Sequence, residues 1–303
     1  MLLHNSSNSK GFDNVFSEIM PSKKLCLKNN NCLRLFHLDI SNNEFSYIGL
    51  HSLLQKNIGR YVFSRAMIDK LTVEGDAEAI GLRAVELLRY ASNPNDSGAG
   101  GELGEILLYL FLEIKLGAPK LLSKMELKTS PNQYVFGSDG IHLLRLDNKI
   151  FQLILGESKI KGDLKDAVDN AFNSIKTVSA QPSNELRLVD SRIFTETFDE
   201  QTTNFIKSLI IPSKRDASIS VDKAFGIFLG YTLGVDASQY SNTEFREVVN
   251  RKLKDDFTKV AKYIEGKINN SGLAGYSFYF FLLPFNDASK DRANIIQKLK
   301  GGI

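Results

Sequence analysis

Two carboxylates and one amine, Asp139, Glu157 and Lys159, interrupt an otherwise apolar part of the chain. They lie in the stretch GSDGIHLLRLDNKIFQLILGESKIK, where two apolar segments flank the turn residues Asp-Asn-Lys at 147–149. Apolar segments separated by such a turn predict a β-hairpin, with the three ionisable residues near its open end. Carboxylates bind divalent cations and an amine binds phosphate, so these residues together point to chemistry on a phosphate ester.

Whether the three side chains meet depends on the register of the hairpin. If Leu146 pairs with Ile150 across a three-residue turn, a common hairpin length, Asp139 lies opposite Glu157. Their Cβ atoms would then be about 5 Å apart, and Lys159 would emerge on the same face. A two-residue turn would send the two carboxylates to opposite faces of the sheet. The three-residue turn is therefore the assumption on which the predicted site depends.

Two carboxylates at that separation repel each other, and one would hold a proton unless a cation lay between them. Hard oxygen ligands with room for water suit Mg²⁺ or Mn²⁺. Such a metal lowers the pKa of a bound water and stabilises charge on a phosphodiester, while Lys159 orients the attacking water or holds the phosphate. The residue types and their spacing therefore predict metal-dependent phosphodiester hydrolysis.

The pattern Asp139…Glu157-Ser158-Lys159 resembles the D…(D/E)-x-K signature of the PD-(D/E)XK nuclease superfamily, with Ser138 where the superfamily name has proline. A wider pattern is more specific. Gly104-Glu105 opens the helical segment ILLYLFLEIKLGAPK, and GSDGIH and GESKIKGDL follow it. From about residue 101 to residue 178 this succession resembles the HamA family, the nuclease subunits of Hachiman antiphage systems.

The resemblance implies a fold, an activity and a partner. The fold is α/β, a PD-(D/E)XK restriction-endonuclease-like core with a mixed β-sheet flanked by helices and with α-rich N-terminal and C-terminal additions. The activity is that of a Mg²⁺-dependent deoxyribonuclease (with Mn²⁺ as an alternative), in which Asp139, Glu157 and Lys159 are catalytic. Asp139, Glu157 and Glu105 bind the metal. The partners are DNA and a HamB-like superfamily 2 helicase subunit that acts with the nuclease in antiphage defence.

The predicted helix from Glu102 to Leu116 is apolar almost all round, which predicts a buried central helix. Glu102, Glu105 and Tyr109 form one stripe along it, and a buried acid is costly unless it is paired or bound to a cation. The alternative is that both glutamates merely favour the positive N-terminus of the helix. Glu105 fits the family pattern better than Glu102, so we place Glu105 first as a metal ligand.

The remaining sequence predicts two regions, an α-rich N-terminal region at residues 1–93 and a nuclease core with C-terminal strands and helices at residues 94–303. The stretch NPNDSGAGG at 93–101 is the clearest break between them. Short apolar strands are predicted at 33–40, 224–233 and 276–285, with a helix at 243–267 before the last of these strands. After Gly162 the sequence predicts an amphipathic helix with Asp163 as its N-cap. His142 is predicted to pack or hydrogen-bond on the face away from Asp139.

The composition of the chain excludes few classes of protein. With 303 residues, 43% hydrophobic and 24% charged, the chain is of the ordinary globular class. A net charge of +3 is too small to argue nucleic-acid binding. The start of the chain lacks the apolar segment of a signal peptide, and no apolar run is long enough to span a bilayer, so we expect a cytoplasmic protein without a membrane anchor.

A second function class stays open. The same residues would suit a catalytically inactive, nuclease-like module that binds DNA or docks a partner protein, with the acids and the lysine forming a structural ion-pair network. The presence of the complete Asp, Glu and Lys set favours the enzyme.

Overall fold

The computed structural model describes residues 3–19, 23–25, 29, 31–91, 101–123, 125, 137–179, 198–211 and 214–301. The predicted boundary between two regions, at residues 93 and 94, lies outside the described residues. Within them, the chain alternates short strands and helices around one large sheet. No helix among these residues combines the length and the apolar composition needed to cross a membrane.

In the part of the chain that the structure describes, eight strands form the main sheet and two more form a small separate hairpin. The strands of the main sheet are β1 (Ser17–Glu18), β2 (Lys23–Lys24), β3 (Asn31–His37), β6 (Lys120–Ser123), β7 (Gly140–Arg145), β8 (Ile150–Ile160), β9 (Ser220–Thr232) and β10 (Ser277–Phe285). The separate hairpin consists of β4 (Ile40–Ser41) and β5 (Glu44–Phe45).

The order of the main sheet is β1-β3-β10-β9-β8-β7-β6, with β2 beside β3. The four neighbours β3, β10, β9 and β8 run parallel to one another, while β7 and β6 continue the sheet in antiparallel fashion. This mixed sheet confirms the predicted α/β fold and the predicted strands near 33–40, 224–233 and 276–285. Because β3 is paired with β10, the sheet includes a strand from the N-terminal part of the chain.

The helices flank the sheet and connect its strands. They are α1 (Phe12–Val15), α2 (Ile48–Val62), α3 (Arg65–Val73), α4 (Ile80–Ala91), α5 (Gly101–Ile114), α6 (Leu164–Ser179), α7 (Glu200–Ile210), α8 (Asn242–Asn270) and α9 (Ala288–Leu299). Both helices predicted to flank the hairpin are present as α5 and α6. Asp163 caps α6 as predicted, because its Oδ1 accepts hydrogen bonds from the N–H groups of Lys165 and Asp166.

Helices α5 and α6 cover opposite faces of the sheet. The ring of Phe111 in α5 stacks on Phe228 and Phe281, whereas the ring of Phe172 in α6 stacks on Phe278 and Phe280. Successive side chains of a strand point to opposite faces, so Phe280 and Phe281 belong to two different layers of the core. The central strands are thus buried on both sides, which explains why β9 from Ala224 onward and the whole of β10 are almost continuously apolar rather than alternating.

Candidate functional site

The hairpin of β7 and β8 has the predicted register. Its paired residues run from Gly140 opposite Gly156 to Arg145 opposite Phe151. At the turn, the N–H of Leu146 donates to the carbonyl of Ile150 at 2.9 Å, so residues 147–149 form the three-residue turn. The assumption on which the predicted site depended is therefore confirmed.

Asp139 lies one residue before β7, where the ladder becomes irregular. The Oγ of Ser138 accepts hydrogen bonds from the N–H groups of Gly156 (3.1 Å) and Gly140 (3.3 Å), while the N–H of Asp139 donates to the carbonyl of Gly156 at 2.8 Å. Because Ser138 and Asp139 take over these ladder bonds, Asp139 sits in a bend at the end of the strand.

The bend turns the Asp139 carboxylate toward the backbone of β8. Its Oδ2 accepts two hydrogen bonds from Ser158, one from the N–H at 2.8 Å and one from the hydroxyl at 2.6 Å. Asp139 is buried, as is Ser158. Asp139 is thus bound most directly by the residue after Glu157, a contact that the register alone did not predict.

Glu157 points from β8 toward α6. It forms an ion pair with Lys159 and accepts a hydrogen bond from the side chain of Ser174 in α6. Only 3% of Glu157 is exposed. Burial and the charge of Asp139 raise the pKa of Glu157 to about 7, although Lys159 acts in the opposite direction. Asp139 and Glu157 are therefore close enough to repel each other, as predicted.

Glu105 lies on the opposite face, in α5. Gly104 allows α5 to approach β8 closely, because a Cβ at this position would lie 3.0 Å from the Oγ of Ser158. The buried carboxylate of Glu105 accepts a hydrogen bond from the hydroxyl of Tyr61 in α2 at 2.8 Å. Glu102, one turn earlier, forms an ion pair with Lys300 at 3.2 Å.

The predicted ligands thus divide between the two faces of β8. Glu157 and Lys159 lie on the α6 side, and Glu105 lies on the α5 side. The charge of Asp139 reaches both sides, since it raises the pKa of Glu157 and contributes, after burial and Glu105, to raising that of Tyr61. Among the described residues, no group of three or more His, Cys, Asp or Glu side chains is close enough to hold a metal ion.

The donor set nevertheless suits a hard divalent cation. Asp139 and Glu157 supply carboxylate oxygens that are buried and that repel each other, and a cation placed between them would relieve that repulsion. We call Asp139, Glu157 and Lys159 the acid–lysine site. Glu105 is separated from Glu157 by the strand, so Asp139 is the carboxylate with which it would share a cation.

A second group of buried charges lies at the other end of α5, which we call the anchor cluster (Ser6, Arg65, Glu113, Lys120 and His142). The carboxylate of Glu113 accepts hydrogen bonds from the Ser6 hydroxyl (2.9 Å) and from the N–H groups of Ser7 (2.5 Å) and Lys120 (2.8 Å). Arg65 forms an ion pair with it at 3.5 Å. Burial by itself would raise the pKa of Glu113, but the hydrogen bond from the backbone of Lys120, the charge of His142 and the hydrogen bonds from Ser6 and Ser7 lower it.

The ammonium of Lys120 and the ring of His142 complete the anchor cluster. Lys120 donates to the carbonyls of Arg60 (3.0 Å), Tyr61 (3.2 Å) and Phe63 (3.0 Å), at the C-terminal end of α2. The Nδ1 of His142 bonds to the carbonyl of Ala118 at 2.8 Å, which confirms its predicted structural role. Burial lowers the pKa of His142 to about 4.

Sequence reasoning missed Ser158, Tyr61 and the anchor cluster. Ser158 occupies the variable position of the E-x-K pattern, and strand alternation places it on the face opposite Glu157. Neither feature indicated a functional role for it. The side chains of Tyr61 and Lys120 carried no sequence signal, because the partners given above are 44 residues away for Tyr61 and 57 to 60 residues away for Lys120.

Comparison with known proteins identifies a family. A family model described as HamA matches residues 13–299, which is nearly the whole chain. A search of curated proteins finds no match.

Proposed function

The chain belongs to the HamA family of Hachiman defence proteins, and from that premise we propose that it is a metal-dependent DNA nuclease. The observation that carries the proposal is the acid–lysine site. Two buried carboxylates, Asp139 and Glu157, lie at one end of the hairpin, and Lys159 is paired with one of them. Buried charges are costly, and a site that keeps two repelling acids is typical of a cation-binding function.

Asp139 and Glu157 would hold the cation, and Glu105 would approach it from the α5 side. The bound Mg²⁺ or Mn²⁺ supplies a water of lowered pKa and stabilises negative charge on the phosphodiester. Ser158 orients Asp139 by donating two hydrogen bonds to its Oδ2, which holds that oxygen near the end of β8.

Lys159 is the residue that faces the substrate. About a quarter of its side chain is exposed, whereas that of Glu157 is almost fully buried. The ammonium therefore reaches solvent from beside the carboxylates, where it can hold a phosphate oxygen or orient a water molecule. Its ion pair with Glu157 keeps it at the site when no substrate is bound.

Isosteric substitutions test the proposal. Asp139→Asn and Glu157→Gln are each expected to lower Mg²⁺-dependent DNA cleavage by on the order of 10³-fold, since the metal contributes several kcal/mol to the transition state. The matched control is Asp147→Asn, an exposed carboxylate at the turn of the same hairpin, which should leave cleavage unchanged. Glu157→Gln with parental cleavage would overturn the proposal.

A second function is supported by a specific observation. Asp139 and Glu157 both have protein partners, Ser158 for the first and Lys159 for the second, and no three-acid cluster occurs among the described residues. This arrangement also suits a nuclease-like module that binds DNA or docks a partner protein without cleavage. DNA binding by the parent with no Mg²⁺-dependent cleavage, alone or with a helicase partner, would favour this alternative.

The proposal includes a HamB-like helicase as the partner. A nuclease that cleaves host DNA must be restrained, so we expect the helicase subunit to control access to the acid–lysine site. Cleavage of intact DNA by the isolated chain and by the complex should therefore differ by at least about tenfold. Equal rates would argue against control by the partner.

A further inference from the structure

The buried hydroxyl of Tyr61 is directed at Glu105 from another part of the chain. It donates to Oε2 of Glu105 at 2.8 Å, and both residues are almost fully buried. A carboxylate accepts hydrogen bonds through two oxygens, so the bond from Tyr61 fixes the orientation of one oxygen of Glu105. The neighbouring Gly104 packs against the side chain of Ser158, whose hydroxyl donates to Asp139, so α5 brings Glu105 to the end of the strand where Asp139 is bound.

The position of Tyr61 is itself fixed by the anchor cluster. Tyr61 lies in the last turn of α2, and its carbonyl is one of the three that accept hydrogen bonds from the ammonium of Lys120. A cation at the C-terminal end of a helix also interacts favourably with the helix dipole. The backbone N–H of Lys120 is in turn bound to Glu113.

We propose that Tyr61 is a positioning residue, through which α2 holds the carboxylate of Glu105 in the orientation needed to bind a divalent cation together with Asp139. The inference rests on the proposed function of the acid–lysine site. It assigns a role to the N-terminal helices that neither the Asp…Glu-x-Lys pattern nor the family match contains. A hydrogen-bond partner that fixes a ligand's orientation typically contributes 10- to 100-fold to metal affinity.

The test is Tyr61→Phe in the full-length chain, with Tyr109→Phe as the matched control. Both substitutions remove one buried hydroxyl and keep the ring, and the two rings are neighbours with centroids 5.9 Å apart. The Tyr109 hydroxyl bonds to Ser6 of the anchor cluster rather than to a proposed ligand. We expect Tyr61→Phe to weaken Mn²⁺ binding, measured by calorimetry, by about 10- to 100-fold, and Tyr109→Phe to leave it unchanged.

A spectroscopic readout separates positioning from mere packing. The chain has 10 tyrosines and no tryptophan, so its near-ultraviolet absorbance reports on tyrosine. Adding Mg²⁺ should perturb this absorbance in the parent and in Tyr109→Phe but not in Tyr61→Phe. If the Tyr61→Phe variant fails to fold, the parent protein still tests the inference. A tyrosine absorbance of the parent that is unchanged at saturating Mg²⁺ overturns it.

The outcomes distinguish this inference from the proposed function. Parental Mn²⁺ affinity in Tyr61→Phe, together with lost affinity in Asp139→Asn, overturns the role of Tyr61 and leaves the metal site standing. Equal Mn²⁺ affinity in the parent and in Asp139→Asn overturns the metal site itself.

Discussion

The anchor cluster and the acid–lysine site both bury charged side chains against the same sheet, but they differ in what neutralises the charge. In the anchor cluster, Glu113 has three hydrogen-bond donors and Arg65, and Lys120 has three carbonyls. In the acid–lysine site, Asp139 and Glu157 repel each other, and the one nearby ammonium that pairs with Glu157, that of Lys159, is partly exposed.

The difference indicates which cluster serves stability and which serves function. Removing a buried charge that has a full set of partners is destabilising, because those partners then remain buried without it. Two buried acids in repulsion lower stability, and they are retained where binding of a cation requires them. Substitutions in the anchor cluster should therefore mainly lower the free energy of unfolding. Substitutions in the acid–lysine site should mainly lower the rate of cleavage.

The largest expected effect is on folding, in Glu113→Gln. The amide removes the charge that faces Arg65, and its NH₂ group points at the donors that now bind the Glu113 carboxylate. We therefore expect a loss of about 3–5 kcal/mol in the free energy of unfolding. Glu157→Gln should change it by less than about 1 kcal/mol, because losing the ion pair with Lys159 is offset by losing the repulsion with Asp139. Urea unfolding of both variants measures the contrast, and equal losses would show that both clusters are structural.

Acidification should act on the anchor cluster through His142 and, with the opposite sign, on the acid–lysine site through Glu157. The pKa of His142 is about 4 in the folded protein and 6.5 in the unfolded chain, so the unfolded state binds more protons between these values. The contribution of His142 to stability is therefore full above pH 6.5 and falls by up to about 3 kcal/mol as the pH drops to 4. The raised pKa of Glu157, about 7, has the opposite sign, because its protonation favours the folded state as the pH falls below 7. His142→Gln should remove the fall that comes from His142, while the opposing contribution of Glu157 and the fall below pH 4.5 that comes from Glu113 should remain. An unchanged curve in the variant would contradict the assignment to His142.

Two lysines allow a matched test. Lys120→Met leaves three carbonyls at the end of α2 without their donor and should cost about 3 kcal/mol of stability. Lys159→Met breaks a partly exposed ion pair, which should cost less than about 1 kcal/mol. Its cleavage rate should instead fall by on the order of 10²-fold, as for a residue that orients the attacking water. Lys149→Met, at the turn of the same hairpin, is the control for cleavage.

The smallest expected effect is that of Ser158→Ala. Asp139 keeps the hydrogen bond from the N–H of residue 158 and loses the one from the hydroxyl, so stability should fall by about 1–2 kcal/mol. Cleavage should fall about tenfold, because the remaining bond orients the carboxylate less strictly. Ser208→Ala removes a hydroxyl that bonds within its own helix and should leave cleavage unaffected. A parental rate in Ser158→Ala would remove Ser158 from the site.

Local patterns were sufficient for the hairpin and its flanking helices. The apolar segments, the Asp-Asn-Lys turn and the Asp163 cap each depend on residues within a few positions of one another, and the structure contains all three. The predicted register is correct because strand alternation and turn length together leave few choices. Membership of the HamA family, inferred from the residues between 101 and 178, is likewise confirmed.

What sequence reasoning could not provide were contacts between distant segments. Nothing near Tyr61 indicates that its hydroxyl binds Glu105, and nothing near Lys120 indicates that it binds the end of α2. The sequence also suggested one three-carboxylate cluster, whereas the closeness of α5 to β8 at Gly104 places Glu105 across the strand from Glu157.

The sequence by itself therefore determined the secondary structure around the site, the register of its hairpin and the chemical types of its side chains, because each of these follows from short-range geometry. Only the tertiary structure decided which buried charge meets which partner. Packing of α2, α5 and the sheet gives Glu113 a full set of donors and leaves Asp139 and Glu157 in repulsion, and burial converts that difference into the contrast between the anchor cluster and the acid–lysine site.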